Sequence, residues 1–144
     1  MRRLNGFTML EVVAVMFIVT AMALVAVPIG RSAMTHHEER EFIEKLIEEW
    51  EMLKMESKAT GRNGVLNVKG ADRQVQFATL ASSRPLLKFP SSLSYKGETT
   101  IICNGDGKVQ QAGSLNFKQA SEKYWKVTFQ LGWGRALFIE TTKP

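Results

Sequence analysis

An apolar run near the N-terminus, with an acid at its leading edge, constrains this chain most strongly. Between Val12 and Ile29 there are 18 residues, of which only Thr20 is polar, and Glu11 stands directly before them. A carboxylate at the centre of a bilayer costs about 2.5–3.5 kcal/mol on insertion scales, so such a group usually has a partner. The run therefore predicts a segment that enters lipid, and Glu11 predicts a specific charge pairing.

The run is long enough for one membrane crossing. The 23 residues from Phe7 to Ile29 would form a helix of about 34 Å, and the hydrocarbon core of a bilayer is about 30 Å thick. Arg2 and Arg3 precede the run and no acid accompanies them. The positive-inside rule therefore predicts a single-pass protein of the cell membrane, with a cytoplasmic N-terminus and an extracytoplasmic head. Pro28 lacks a backbone donor and predicts a kink near the end of the transmembrane segment.

After the transmembrane helix, assigned to residues 7–30, the pattern becomes amphipathic. An apolar stripe recurs at steps of three and four, with Glu and Lys on the other face, and it comprises Phe42, Ile43, Leu46, Ile47, Trp50 and Leu53. This spacing predicts that residues 31–58 continue the helix and pack the stripe against the rest of the protein. The sequence "TGRNG" at residues 60–64 predicts the end of the helix.

Residues 59–144 are expected to form an antiparallel β head. Short segments rich in β-branched and aromatic residues are separated by turn signals, and they read "VLNV", "QVQFATL", "TTIIC", "KVQQ", "SLNF", "WKVTFQL" and "RALFIE". The segment from Ser82 to Ser94 contains two prolines and predicts a looser connection. The expected fold class is α+β, with a long N-terminal helix packed on a small antiparallel sheet.

Charge and cysteine usage add two expectations. Eight acids and three bases lie between Glu38 and Glu56, whereas thirteen bases and five acids follow from Lys58 onward. The acidic helix and the basic head could attract neighbouring molecules or an anionic polymer. Cys103 is the only cysteine, which excludes a disulfide within the chain. Burial in an apolar strand is the favoured interpretation, and a bond to another chain is the alternative.

The N-terminal motif resembles a known family. The sequence "GFTMLE" at residues 6–11 is similar to the class III signal of type IV pilins and pseudopilins, and so are the short basic leader "MRRLNG" and the proline seventeen residues past Glu11. Met9 stands where the family usually has leucine. The resemblance covers the first quarter of the chain. The alternative is an ordinary secretory signal or signal anchor, for which the apolar run is long.

The resemblance implies a pilin-like form of this α+β fold, cleavage of the leader, and assembly with other subunits. A prepilin peptidase would remove the leader, residues 1–6, by cutting between Gly6 and Phe7, and would methylate the new amine of Phe7. Glu11 would then pair with the Phe7 amine of an adjacent subunit, and other pilin-like subunits would be the partners. An assembly ATPase and a membrane platform would act indirectly. A milder interpretation of Glu11 is local: an acid in the first helical turn complements the helix dipole.

The C-terminal region resembles one group within that family. The tail from Asn104 to Glu140, with its late "GWGR" at residues 132–135, is similar to GspH-like minor pseudopilins, and most similar to the small competence pseudopilins of Gram-positive bacteria (ComGD type). This similarity implies a minor subunit required for uptake of exogenous DNA, exposed at the cell surface when assembled. The alternatives are a minor pseudopilin of type II secretion, a minor type IV pilin, and an anchored protein that binds an anionic polymer without polymerising.

Direct chemistry by the head is not expected. Trp125, Trp133, Tyr95 and Tyr124 stand among lysines and raise the question of DNA contact, but packing in the core is the favoured interpretation. Gly132 and Gly134 are interpreted as turn residues, with Arg135 flanking the turn in solvent. The pair His36 and His37 points in two directions on a helix, and no further ligand completes a metal sphere. We therefore expect no catalytic residues, no metal and no cofactor.

Overall fold

A computed structural model of the chain describes residues 8–79, 84 and 86–143, except for the side chains of residues 25–31. The chain divides into two units, Met1–His37 and Glu38–Pro144. One helix, α1, spans Met9–Thr60, close to the predicted span from Phe7 to Lys58. Gly61 follows it with a φ of 65°, so the glycine predicted to stop the helix does so in a left-handed conformation that glycine adopts freely.

The apolar stripe predicted in the second half of α1 is confirmed. Five of its six side chains are buried and Ile47 is half-buried; the buried ones are Phe42, Ile43, Leu46, Trp50 and Leu53. The stripe packs against strands of the same unit through ring contacts, with Trp50 and Phe129 edge to face at 5.0 Å between centroids. Aromatic pairs in this arrangement add stability beyond the area that they bury.

The described residues of the β head form eight strands. Their bounds are β1 Gly64–Lys69, β2 Gln74–Thr79, β3 Leu87–Lys88, β4 Leu93–Ser94, β5 Glu98–Cys103, β6 Gly113–Gln119, β7 Tyr124–Phe129 and β8 Ala136–Thr141. They form two antiparallel four-stranded sheets, in the orders β3-β2-β1-β5 and β4-β6-β7-β8. The α+β class and the antiparallel pairing are confirmed, but the expectation of one small sheet is wrong.

Each sheet has an outer strand that the sequence pattern did not reveal. Within the connection predicted from Ser82 to Ser94, β3 and β4 each contribute two residues, one strand to each sheet. The segment "KVQQ" is predicted as a strand, but only Val109 pairs, bridging Cys103 on one side and Gly132 on the other. Val109 thereby connects the last strand of the first sheet with the turn that follows β7.

Hairpins explain why the alternating segments form strands. β1 and β2 pair from Gly64↔Thr79 to Lys69↔Gln74, and β6, β7 and β8 follow one another through tight turns. Alternate side chains of β1, β6 and β7 are buried and the intervening ones are half-buried or exposed, as a sheet with one covered face requires. Short-range hairpins of this kind were predicted and are confirmed.

Cys103 is fully buried, as the favoured interpretation predicted. Its Sγ lies 3.3 Å from the hydroxyl of Ser57, which is also buried near the end of α1. Gly64 packs against the same pair, because a Cβ built there would lie 2.5 Å from the Ser57 oxygen and 2.9 Å from Sγ. Close approach between helix and sheet therefore requires glycine at the start of β1.

Candidate functional site

The first unit contains an apolar helical segment, residues 9–24, whose side chains are all exposed. Every described side chain from Thr8 to Leu24 faces solvent in the single chain, including the large ones Met16, Phe17 and Leu24. A helix that is apolar on all faces is normally buried in a large core or in a membrane. This segment therefore lacks, within one chain, the apolar environment that its composition requires.

Thr8 and Glu11 form the N-terminal cap of α1. The backbone N–H of Glu11 donates to the Thr8 carbonyl at 3.1 Å and lies 3.3 Å from its Oγ1, and the N–H of Val12 reaches the same carbonyl at 3.2 Å. Thr8 thus satisfies donors that a helix start leaves without partners. The spacing Thr-x-x-Glu is that of a capping box, so Glu11 stands where an acid also complements the helix dipole.

Several predicted sites of this region remain predictions. Gly6 and Phe7, assigned to cleavage and methylation, lie outside the described residues, and so does the side chain of Pro28, assigned to the kink. The residues that are described contain no helix long and apolar enough to cross a bilayer. Glu11 is exposed in the single chain.

In the head, a turn presents one aromatic side chain to solvent. Gly132 and Gly134 have φ values of 79° and 63°, and Trp133 between them is 89% exposed. The two glycines are turn residues and Arg135 is exposed, as predicted. The core interpretation fails for Trp133, because it lies at the tip of the turn and not within a strand.

The other aromatics considered for DNA contact are less accessible. Trp125 is buried, and its indole nitrogen donates to the carboxylate of Glu39 at 3.2 Å. Tyr95 and Tyr124 are half-buried and border a surface pocket of about 410 Å³, which is lined by Ser94, Tyr95, Lys96, Ser114, Asn116, Lys118 and Tyr124. The core interpretation is therefore right for Trp125 and partly right for the tyrosines.

A second depression lies beside the exposed tryptophan. This groove, called the Trp133 groove below, has a volume of about 570 Å³ and is lined by Lys54, Met55, Lys58, Asp106, Gly107, Lys108, Gly132 and Trp133. Lys54 is mostly covered and pairs with Glu51 at 2.8 Å. Lys58 and Lys108 are exposed, and the ion pairs of the described residues do not include either of them. Asp106 is the only acid in the lining.

An ion-pair cluster fixes the described loop residue Arg84 to the helix. Its guanidinium contacts Glu49 at 2.9 Å and Glu56 at 3.1 Å, and its backbone N–H donates to the carbonyl of Phe77. The hydrogen bond with Glu49 is the main cause that raises the pKa of Arg84 above its usual range, although partial burial opposes it. The charge of Arg84 is therefore present throughout the neutral range.

Sequence reasoning missed three residues with special roles. Glu39 and Ser57 are buried polar residues, and both continue the spacing of the apolar stripe by one step, so that spacing was a usable signal. Arg84 gave no signal, because its partners lie 28 and 35 positions away in the sequence.

The described residues contain no group of three His, Cys, Asp or Glu side chains that could hold a metal ion. What they do offer is an exposed apolar helical segment and the Trp133 groove with its two exposed lysines. Comparison with family models, with curated proteins and with solved structures finds no match to this chain.

Proposed function

We propose that this chain is a minor pseudopilin-type subunit, anchored in the membrane by its apolar helix until it enters a filament. The leader of residues 1–6 is removed before Phe7, and the segment of residues 7–30 then crosses the membrane with the head outside. In the filament, the same segment packs among the helices of sibling subunits. The filament serves uptake of exogenous DNA, so the subunit is required for transformation.

The observation that carries the proposal is the unpartnered apolar helix from Met9 to Leu24. Large side chains project on all its faces, with Met9 86% exposed and Leu10 80% exposed. Each buried apolar side chain contributes about 1.5–3 kcal/mol when it leaves water. A lipid bilayer and a bundle of like helices both supply that burial, and a pilin-type subunit uses the two environments in turn.

Glu11 supplies the assembly charge in this account. The backbone N–H of Glu11 bonds to Thr8, whereas Glu11 itself is exposed, so its carboxylate is the group that meets a second partner. The cationic amine of Phe7 on an adjacent, processed subunit is that partner. Removing one member of a buried pair costs about 3–5 kcal/mol, enough to reject a subunit that enters out of register.

The test compares Glu11→Gln with Thr8→Val in cells that carry the assembly machinery. Glu11→Gln retains length and polarity but removes the charge, whereas Thr8→Val removes only the capping oxygen. We expect Glu11→Gln to abolish cross-linking to sibling subunits, with membrane insertion unchanged, and Thr8→Val to assemble nearly as the parent does. If both variants lost assembly equally, Glu11 would act only through the helix cap. If neither did, the assembly charge would be refuted.

The phenotype of a gene deletion distinguishes a competence filament from a secretion pseudopilus and from a motility pilus. Deletion of the gene is expected to abolish transformation and to leave protein secretion and motility intact. A secretion defect with normal transformation would instead favour a type II secretion pseudopilin, and a loss of motility would favour a minor type IV pilin.

A further inference from the structure

The turn that presents Trp133 is held more firmly than a solvent-exposed loop needs to be. Val109 and Gly132 exchange two backbone hydrogen bonds, each of 3.1 Å. The Gly134 carbonyl accepts the buried indole N–H of Trp50 at 2.7 Å and the Lys54 ammonium at 3.2 Å. A left-handed residue at each side of Trp133 completes the turn. These contacts therefore fix the backbone on both sides of Trp133, so that the exposed side chain projects from a preorganised turn, which lowers the entropic cost of binding a ligand there.

The charges around Trp133 select the ligand. Lys58 and Lys108 line the Trp133 groove without ion pairs among the described residues, and Asp106 is the one acid that opposes them. Lysine is depleted in protein–protein interfaces, so this rim is unlike that of a typical protein contact. Lysine side chains neutralise the phosphates of a nucleic acid, and a flat aromatic side chain stacks with its bases. A phosphate polymer that carries planar bases uses both features.

We propose that the Trp133 groove binds single-stranded nucleic acid, with a base stacked on Trp133 and phosphates held by Lys58 and Lys108. The inference deepens the proposed function by giving the subunit direct contact with DNA, and it rests on that function only for its biological setting. Binding itself needs the head alone. The Glu11→Gln variant, which tests assembly, is therefore expected to bind nucleic acid as the parent does.

The test uses the full chain in a nonionic detergent and a fluorescein-labelled oligothymidylate followed by anisotropy. Because Trp50 and Trp125 are buried, quenching of tryptophan fluorescence by the unlabelled oligonucleotide reports on Trp133. We expect saturable binding with quenching. Trp133→Ala should weaken it about 5- to 150-fold, the range for loss of one stacked base. Ile139→Ala, at another exposed apolar residue, is the control and should not weaken it.

Charge variants test the role of the two lysines. The double variant Lys58→Gln/Lys108→Gln should lower the slope of log affinity against log salt by about 1.4, or about 0.7 for each phosphate that is no longer neutralised. The equally charged control Lys88→Gln/Lys143→Gln alters exposed lysines outside the groove and should change the slope little. Asp106→Asn removes the opposing charge and should tighten binding.

Three results would overturn the proposal. The first is no binding of the oligonucleotide at low salt. The second is equal binding of oligothymidylate and inorganic polyphosphate with no effect of Trp133→Ala, which would indicate general attraction of polyanions. The third is that Lys88→Gln/Lys143→Gln lowers the slope of log affinity against log salt as much as Lys58→Gln/Lys108→Gln does. Assembly through Glu11 could stand in each case, so failure of this inference is distinct from failure of the proposed function.

Discussion

The indole nitrogen of Trp50 donates a 2.7 Å hydrogen bond to the carbonyl of Gly134, across 84 positions of sequence and within the buried interior. This hydrogen bond joins the apolar stripe of α1 to the turn that carries Trp133. The stripe therefore does more than fill the core, because it also fixes the backbone beside an exposed side chain.

Replacement of Trp50 by Phe tests this connection. The variant keeps an aromatic ring against Phe129 but loses the hydrogen bond and leaves a small cavity, so we expect the free energy of unfolding to fall by about 2–3 kcal/mol. Thermal unfolding followed by far-UV circular dichroism measures the change. Trp133→Phe, the same substitution at an exposed site, should alter stability by less than about 0.5 kcal/mol. Equal effects of the two variants would contradict the connection.

Gly134 is expected to tolerate alanine less well than Gly132. Both residues are left-handed, which costs an L-residue about 1–2 kcal/mol. A Cβ at Gly134 would also lie 2.9 Å from Cγ2 of Val109, whereas a Cβ at Gly132 would meet nothing within 4 Å. We therefore expect Gly134→Ala to destabilise the head by about 1–2 kcal/mol more than Gly132→Ala does, as overpacking of a filled site does. Urea unfolding of both variants measures the difference, and equal midpoints would show that Val109 yields freely.

Glu39 offers a prediction about buried charge. It is 3% exposed and its carboxylate accepts the indole N–H of Trp125 at 3.2 Å. Glu39→Gln keeps an oxygen that can accept this hydrogen bond and removes a charge that is costly to bury, so we expect unchanged or increased stability. Glu39→Ala leaves the indole without that acceptor and should cost about 1–3 kcal/mol. A clear decrease in the stability of the Gln variant would indicate that the charge itself is needed.

Arg84 should stabilise the head through its two glutamates. We expect Arg84→Gln to lower the free energy of unfolding by about 1–2 kcal/mol. Each partly exposed ion pair contributes little by itself, but the variant removes two of them, with Glu49 and with Glu56. The melting temperature would fall by roughly 4–8 °C per kcal/mol. Arg62→Gln, at an exposed arginine, is the control and should have little effect.

The pH dependence of this contribution follows from the raised pKa of Arg84. A raised folded-state pKa means that the stabilisation is fully present below the unfolded-state value. It disappears only as pH rises through the folded-state value, in the strongly alkaline range. The difference in stability between parent and Arg84→Gln should therefore show no titration of Arg84 near neutral pH.

The sequence allowed the helix, its buried stripe and the hairpins to be predicted because these features depend on local spacing. Steps of three and four placed Leu46 and Trp50 in the core, and alternation placed Val127 and Phe129 there. The division into two sheets was not predictable in this way. It depends on which strands pair at long range: β5 pairs with β1 and not with β6, which follows it in the chain, and local spacing does not specify this choice.

The candidate site was predictable to a smaller extent. The motif from Gly6 to Glu11 indicated the segment for which we propose a role in assembly. The Trp133 groove gave no pattern, because Lys58, Lys108 and Trp133 come from separate parts of the chain. The alternation of apolar and polar residues identifies the buried face of a strand, but it does not show whether an aromatic side chain at a turn is exposed or buried. The two glycines around Trp133 were the available signal, since they place the residue between them at the tip of a turn.

The mass of the mature N-terminus tests the central claim most directly. The chain should be extracted from membranes of cells with an active prepilin peptidase, and from matched cells without it, and its N-terminal peptide measured by mass spectrometry. We expect the first sample to begin at Phe7 and to carry one added methyl group, and the second to retain residues 1–6. A chain that begins with Met1 in both samples, or one cut beyond Glu11, would contradict the central claim.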